Sequence, residues 1–201
     1  RKLGTQMKAT GEIMAIGRTF EESFLKGIRS LEVGNGDFHL PYLEEEPEDE
    51  LIERLKEADD ERIFVIAEMF RRGHSVDTLF NYTKIDRFFL TKIAGIIEKE
   101  KQFSKKPLEK ETLQEAKEYG FSDEQLARIW QVDVDTIYNE RKKQDILPVY
   151  KLVDSCAAVY ESNAPYYYST YEEENESSVS TKEKVLVLGS GPIRIGQGIE
   201  F

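Results

Sequence analysis

The residues best suited to chemistry lie in the last eighteen positions, "KVLVLGSGPIRIGQGIEF". An apolar run, Val185 to Leu188, leads into Gly189, Gly191 and Gly196, an order that lets backbone amides approach a phosphate or makes a tight strand-to-helix turn. The spacing departs from a dinucleotide fingerprint. Where that fingerprint has a third glycine the chain carries Arg194, and Pro192 removes an amide donor. Other reactive residues are isolated. Cys156 sits in the apolar stretch "DSCAAVY" without a histidine nearby and reads as a buried small hydrophobe. His39 and His74 sit in loop or turn surroundings without the Cys, Ser or Asp company of a general base, so no catalytic, cofactor-binding or metal-binding set can be assembled.

These groups need elements to position them. The 201 residues carry a formal charge of −11, which opposes a nucleic-acid surface. No apolar run is long enough to span a membrane, no secretory leader opens the chain, and one cysteine excludes an internal disulfide. These features predict a cytoplasmic protein. The missing initiator methionine and abrupt ends suggest a piece of a larger polypeptide.

Glu12 to Ile16 reads as extended, followed by a turn at Gly17 and a helix with a Thr19/Glu22 capping box. Its stripe is Phe20, Phe24, Leu25, Ile28 and Leu31, with a stop at Gly34. The carboxylate-dense "LEEEPEDELIERLKEADDER", broken by Pro47, reads as a linker into a helical domain, its acids a solvated face. From Glu48 to about Gln144 the periodicity is helical throughout, including a stripe of Ile85, Phe88, Phe89, Ile93, Ile96 and Ile97. Phe88, Phe89 and Leu90 are consecutive and cannot all face one core, which marks Phe88 and Phe89 as candidates for an oligomer contact.

A weak internal repeat sets "GHSVDTLFNYTKID" against "GFSDEQLARIWQVD". Each copy predicts a glycine helix stop at Gly73 or Gly120, a serine N-cap at Ser75 or Ser122, a short helix, and an acidic cap at Asp86 or Asp133. The second copy resembles a helix-turn-helix. Its basic cluster, Arg141 to Lys143, lies at the wrong end of the second helix to read bases, while Asp133 and Asp135 occupy the end that would. From Pro148 the chain reads as an irregular extended arm, with Tyr166, Tyr167, Tyr168 and Tyr171 as packing anchors, and then an exposed acidic linker.

The stretches "TQMKATGEIMAIGRTFEES", "SVDTLFNYTKIDRFFL", "PVYKLVDSCAAVY", "YYYSTYEEENE" and "KVLVLGSGPIRIGQGIEF" together resemble the large subunit of carbamoyl phosphate synthases, across essentially the whole chain. That resemblance implies a mainly α chain: a helical oligomerization domain flanked by the truncated α/β ends of two ATP-grasp synthetase halves. Residues 1–32 would be the tail of the carboxyphosphate half, 33–176 the oligomerization domain with its arm from about 148, and 177–201 the start of the carbamoyl phosphate half. It further implies a parent ligase that makes carbamoyl phosphate from bicarbonate, glutamine-derived ammonia and two ATP, with magnesium and potassium, for arginine and pyrimidine synthesis. The implied partners are a small glutaminase subunit and other large subunits in a homo-oligomer, without nucleic acid or membrane. Glu12, Gly198 and Glu200 match positions of the family's carbamate tunnel, and the piece alone would be catalytically inactive. Rival readings are a helix-turn-helix regulator and a nucleotide-binding domain fragment.

Overall fold

The computed structural model describes residues 5–6, 13–31, 36–156, 159 and 166–187. Its elements run α1 (Phe20–Ser30), α2 (Tyr42–Glu45), α3 (Glu48–Lys56), α4 (Arg62–Arg71), α5 (Val76–Thr83), α6 (Arg87–Phe103), α7 (Lys110–Glu118), α8 (Asp123–Trp130), α9 (Val134–Lys143), β1 (Val149–Leu152) and β2 (Tyr167–Thr170). The protein is mainly α, as its periodicity predicts, with one small antiparallel sheet among the described residues.

The centre is α6, which packs on α1, α4, α5 and α7. It buries Leu90, Ile93, Ile96, Ile97 and Phe103, a spacing of three and four that keeps one face inward. On α4 the residues Phe64, Val65, Ile66, Ala67, Met69 and Phe70 are all buried, because other elements cover it from several sides. The carboxylate-rich stretch is not a linker. Leu43, Leu51 and Leu55 are buried in the same cluster as Leu25 and Ile28 of α1. Pro47 is the N-cap of α3, just before the helix, where a missing amide and fixed φ are tolerated, and the acids take the outer face.

The repeat is real in three dimensions. Gly73 and Gly120 both end helices at positive φ, +93° and +101°. Ser75 and Ser122 both cap the next helix, accepting from the amides of Thr78 and Gln125. Lys84 and Gln131, at equivalent positions, both close their helices in the left-handed region. The third cap diverges: Asp86 Oδ1 accepts from the Phe88 amide at 2.8 Å, whereas Asp133 makes no such bond.

At α1 the capping box is half formed. Thr19 accepts from the Glu22 amide at 3.2 Å, but Glu22 reaches one residue further back, to the Arg18 amide at 2.6 Å. Leu31, expected in the α1 stripe, is exposed at the helix end. Residues 13–17 carry no helix or strand; Glu12 and Gly34 lie outside the described residues.

The arm is more ordered than its composition suggests. β1 and β2 pair antiparallel with Val149 opposite Thr170 and Leu152 opposite Tyr167. Within it Tyr171 packs against the core, but Tyr166 and Tyr167 are exposed and are not packing anchors. Cys156 is partly exposed, not buried, because it follows the strand in a turn. Val185, Leu186 and Val187 are exposed and in no ladder, so the strand expected there does not form among the described residues.

Candidate association surface and charged clusters

The first turn of α6 has two destinations. Leu90 is fully buried, whereas Phe88 and Phe89 remain 54% and 47% exposed. The preceding left-handed Lys84 and the Asp86 cap fix where α6 starts, and a helical rotation of about 100° per residue then divides the three side chains between core and surface. Phe20 of α1 completes the cluster. Its ring lies 5.7 Å from Phe88 and 6.0 Å from Phe89, and those two are 5.3 Å apart at a near-perpendicular angle. Edge-to-face packing of this kind holds aromatic rings in place without enclosing them.

From this cluster a chain of rings leads inward, Phe20 to Phe24 to Phe38 to Phe64, with centroid separations of 5.3–5.7 Å. Beside it runs an apolar groove of about 450 Å³ that includes Phe24, Ile63, Ile85, Phe89 and Ile93. Asp59, Asp60 and Arg62 line its edge with both signs of charge. Beside the rings, Arg87 pairs with Asp77 at 2.9 Å, and Lys92, 5.8 Å from the Phe88 ring, pairs with Glu21 at 2.9 Å.

Three charged clusters join the helices behind this face. Glu100 of α6 is buried and receives Arg71 of α4 at 2.9 and 3.0 Å and Arg128 of α8 at 3.1 Å. Burial by itself would raise the Glu100 carboxyl, but Arg71 and Arg128 outweigh it and hold it below the usual carboxylate value. Arg128 also pairs with Asp37. In the second cluster Asp123 receives Lys117 at 2.7 Å and a two-pronged bond from Arg141. Burial pushes the Lys117 ammonium down to about 8 against the pull of Asp123. Arg141 thus belongs to a buried ion pair and not to a basic face.

The third cluster centres on Lys26 of α1. Its ammonium donates to Glu22 Oε1 at 2.7 Å, to the Ile16 carbonyl at 2.8 Å and to the Ser169 carbonyl at 2.6 Å. None of these clusters has the donor set of a metal centre: among the described residues no three His, Cys, Asp or Glu side chains converge in that way. His39 Nε2 is 2.8 Å from Glu44 and His74 Nε2 is 3.3 Å from Glu48, each a local pair. Among the described residues no helix is long and apolar enough to cross a membrane.

Phe88 and Phe89 are exposed, as three consecutive apolar residues on a helix lead us to expect, but sequence reasoning missed Phe20 as their neighbour and missed Lys26 entirely. Glu12, Gly198 and Glu200 lie outside the described residues. A family model described as carbamoyl-phosphate synthetase large chain, oligomerisation domain, matches residues 12–145. That match spans two thirds of the 201 residues, including α1 to α9, every helix among the described residues. With helical periodicity, repeat and exposed aromatic face all inside the matched region, the chain belongs to the oligomerisation-domain family of carbamoyl-phosphate synthetase large chains.

Proposed function

We propose that the chain associates large subunits of a glutamine-dependent carbamoyl phosphate synthase and joins their two synthetic halves, with Phe20, Phe88 and Phe89 at the contact. The single observation behind the contact is the exposure of Phe88 and Phe89 on a helix whose other large apolar side chains, Leu90, Ile93, Ile96, Ile97 and Phe103, are buried. The occupant is a second copy of the same face. A groove edge carrying Asp59, Asp60 and Arg62 offers both signs of charge, so rotating one copy onto another can match acids with bases. The family's description as an oligomerisation domain supports the same occupant.

In this reading the parent is an ATP-dependent ligase of the cytoplasm that uses magnesium and potassium and takes ammonia from a small glutaminase subunit, while this piece is inactive alone. Glu12, Gly198 and Glu200 border the passage for carbamate between the halves; at Gly198 a side chain would narrow it. The product serves arginine and pyrimidine synthesis.

Sedimentation equilibrium tests the contact. The expected mass is two or more times the 23.3 kDa monomer, falling to the monomer when Phe88 and Phe89 are both replaced by Asp. An unchanged assembly in a folded double variant refutes the assignment of this face.

A further inference from the structure

The Lys26 ammonium has three hydrogens, and each has its own acceptor: a side chain of α1, a carbonyl of the segment before α1, and a carbonyl of β2. Ile16 precedes the helical body and Ser169 follows it, 143 residues after Lys26. One nitrogen therefore holds the incoming and outgoing segments together.

The two-stranded sheet explains why β2 needs such a partner. The Val153 amide donates to the Tyr166 carbonyl at 2.8 Å, which with the strand register makes Tyr150 and Ser169 a pair whose amides and carbonyls face away from each other. On the β1 side those outward groups are satisfied by the returning chain: the Tyr150 amide donates to Asn175 at 3.0 Å, and the Glu176 amide donates to the Tyr150 carbonyl at 2.9 Å. On the β2 side the Ser169 carbonyl is taken by Lys26. The returning chain thereby covers the β1 edge, and Lys26 occupies one outward carbonyl of β2.

Neighbouring contacts reinforce the join. Arg18, just before α1, pairs with Glu172, just after β2, at 2.5 Å. The Tyr168 ring lies 5.4 Å from the Lys26 ammonium. Glu22 is only 2% exposed and spends its second oxygen on the Arg18 amide, so the carboxylate fixes Lys26 and the incoming turn at once. Gly17 allows that approach, because a Cβ there would stand 2.8 Å from Glu22 Oε2.

We propose that Lys26 is a positioning residue that couples the segments on either side of the helical domain, so that displacement of one is passed to the other. The functional half of this inference rests on the reading that those segments lead to the two synthetic halves. Free segments would let the halves shift independently; a shared ammonium, backed by Arg18 and Glu172, makes them move as one.

The test uses the intact large subunit with Lys26→Met, read by amide exchange and by the ratio of carbamoyl phosphate synthesis to bicarbonate-dependent ATP hydrolysis. Exchange in residues 13–18 and 166–171 should rise together, on the order of tenfold, while α4 keeps its protection. The activity ratio should fall several-fold, and Lys26→Arg should restore part of both. Adding Glu22→Gln to Lys26→Met removes the buried carboxylate left without its ammonium and should reproduce both effects if general unfolding is not their cause. Unchanged exchange at 166–171 overturns the join, and raised exchange with an unchanged ratio overturns the coupling. Failure of the underlying reading is separately visible, since the unaltered subunit would then make no carbamoyl phosphate.

Discussion

Gly73 and Gly120 hold equivalent places in the repeat, so alanine at each separates backbone strain from packing. Both sit at positive φ, +93° and +101°, where a Cβ costs on the order of 1–2 kcal/mol. At Gly73 that is the whole cost, because nothing lies within 4 Å of the added atom. At Gly120 the same atom would stand 2.7 Å from Glu22 Cα and 3.4 Å from Glu22 Cβ and Cγ. Non-bonded carbons rest about 3.5–4.0 Å apart, so α1 must retreat by most of an ångström. Overfilling a packed contact adds roughly 1–3 kcal/mol. The retreat also strains the 2.8 Å bond from Arg29 to the Gly120 carbonyl, a further contribution of about 1 kcal/mol.

The expected losses are therefore about 1–2 kcal/mol for Gly73→Ala and about 3–6 kcal/mol for Gly120→Ala. Urea unfolding followed by fluorescence measures both, since the single tryptophan, Trp130, is buried with its indole N–H donating to the Phe103 carbonyl at 2.8 Å. Equal losses for the two variants would refute the reasoning, because they would show that the approach of α1 to the α7–α8 corner contributes nothing.

Two further predictions concern the buried charges. Lys117 titrates near 8 when folded against 10.5 unfolded, so the folded state binds fewer protons between those values and its stability rises with pH across that window. Lys117→Met removes that titration and should flatten the alkaline rise. Denaturant midpoints of both proteins from pH 7 to 10 measure this, and an equally steep rise in the variant would contradict it. Glu100 has the opposite sign: its folded carboxyl is held below 4.5, so its contribution is present above 4.5 and lost as pH falls through the folded value. Glu100→Gln should cost about 3 kcal/mol at pH 7, since Arg71 and Arg128 lose a shared buried partner, and should weaken the acid dependence of the midpoint; an unchanged midpoint at pH 7 would count against it.

Features carried by local chemistry were readable in the residues. Gly73, Gly120, Ser75 and Ser122 each announce a helix end through a backbone or capping requirement that no distant residue needs to supply. Phe88, Phe89 and Leu90 announce a surface because a helix cannot turn three neighbours to one side. The linker reading failed at Leu43, a lone leucine among carboxylates that is buried with Leu25 and Ile28, whereas Leu51 and Leu55 lie in the stretch from Glu48 that reads as helical and is. The hairpin escaped because β1 and β2 are separated by fourteen residues and not by a short turn, leaving no local hairpin signal. Lys26 escaped for a different reason: two of its three acceptors are main-chain carbonyls, which any residue type supplies.

The distribution of charge explains how a domain with a large acidic excess can be both a joint and a contact. Three of its buried or partly buried ions bridge separate elements: Glu100 ties α4, α6 and α8, Asp123 ties α7, α8 and α9, and Lys26 ties α1 to both flanking segments. Such pairs are poor sources of net stability, because desolvation opposes their attraction, but a misplaced partner is heavily penalised. They therefore specify geometry more than they strengthen it. Apolar packing among Leu90, Ile93, Ile96 and Ile97 tolerates small slides of one helix on another, whereas the two-pronged Arg141–Asp123 pair and the three-way Lys26 ammonium do not. A part that holds its flanking segments in register needs that intolerance, and the aromatic face can stay exposed because the ion pairs behind it already fix its shape.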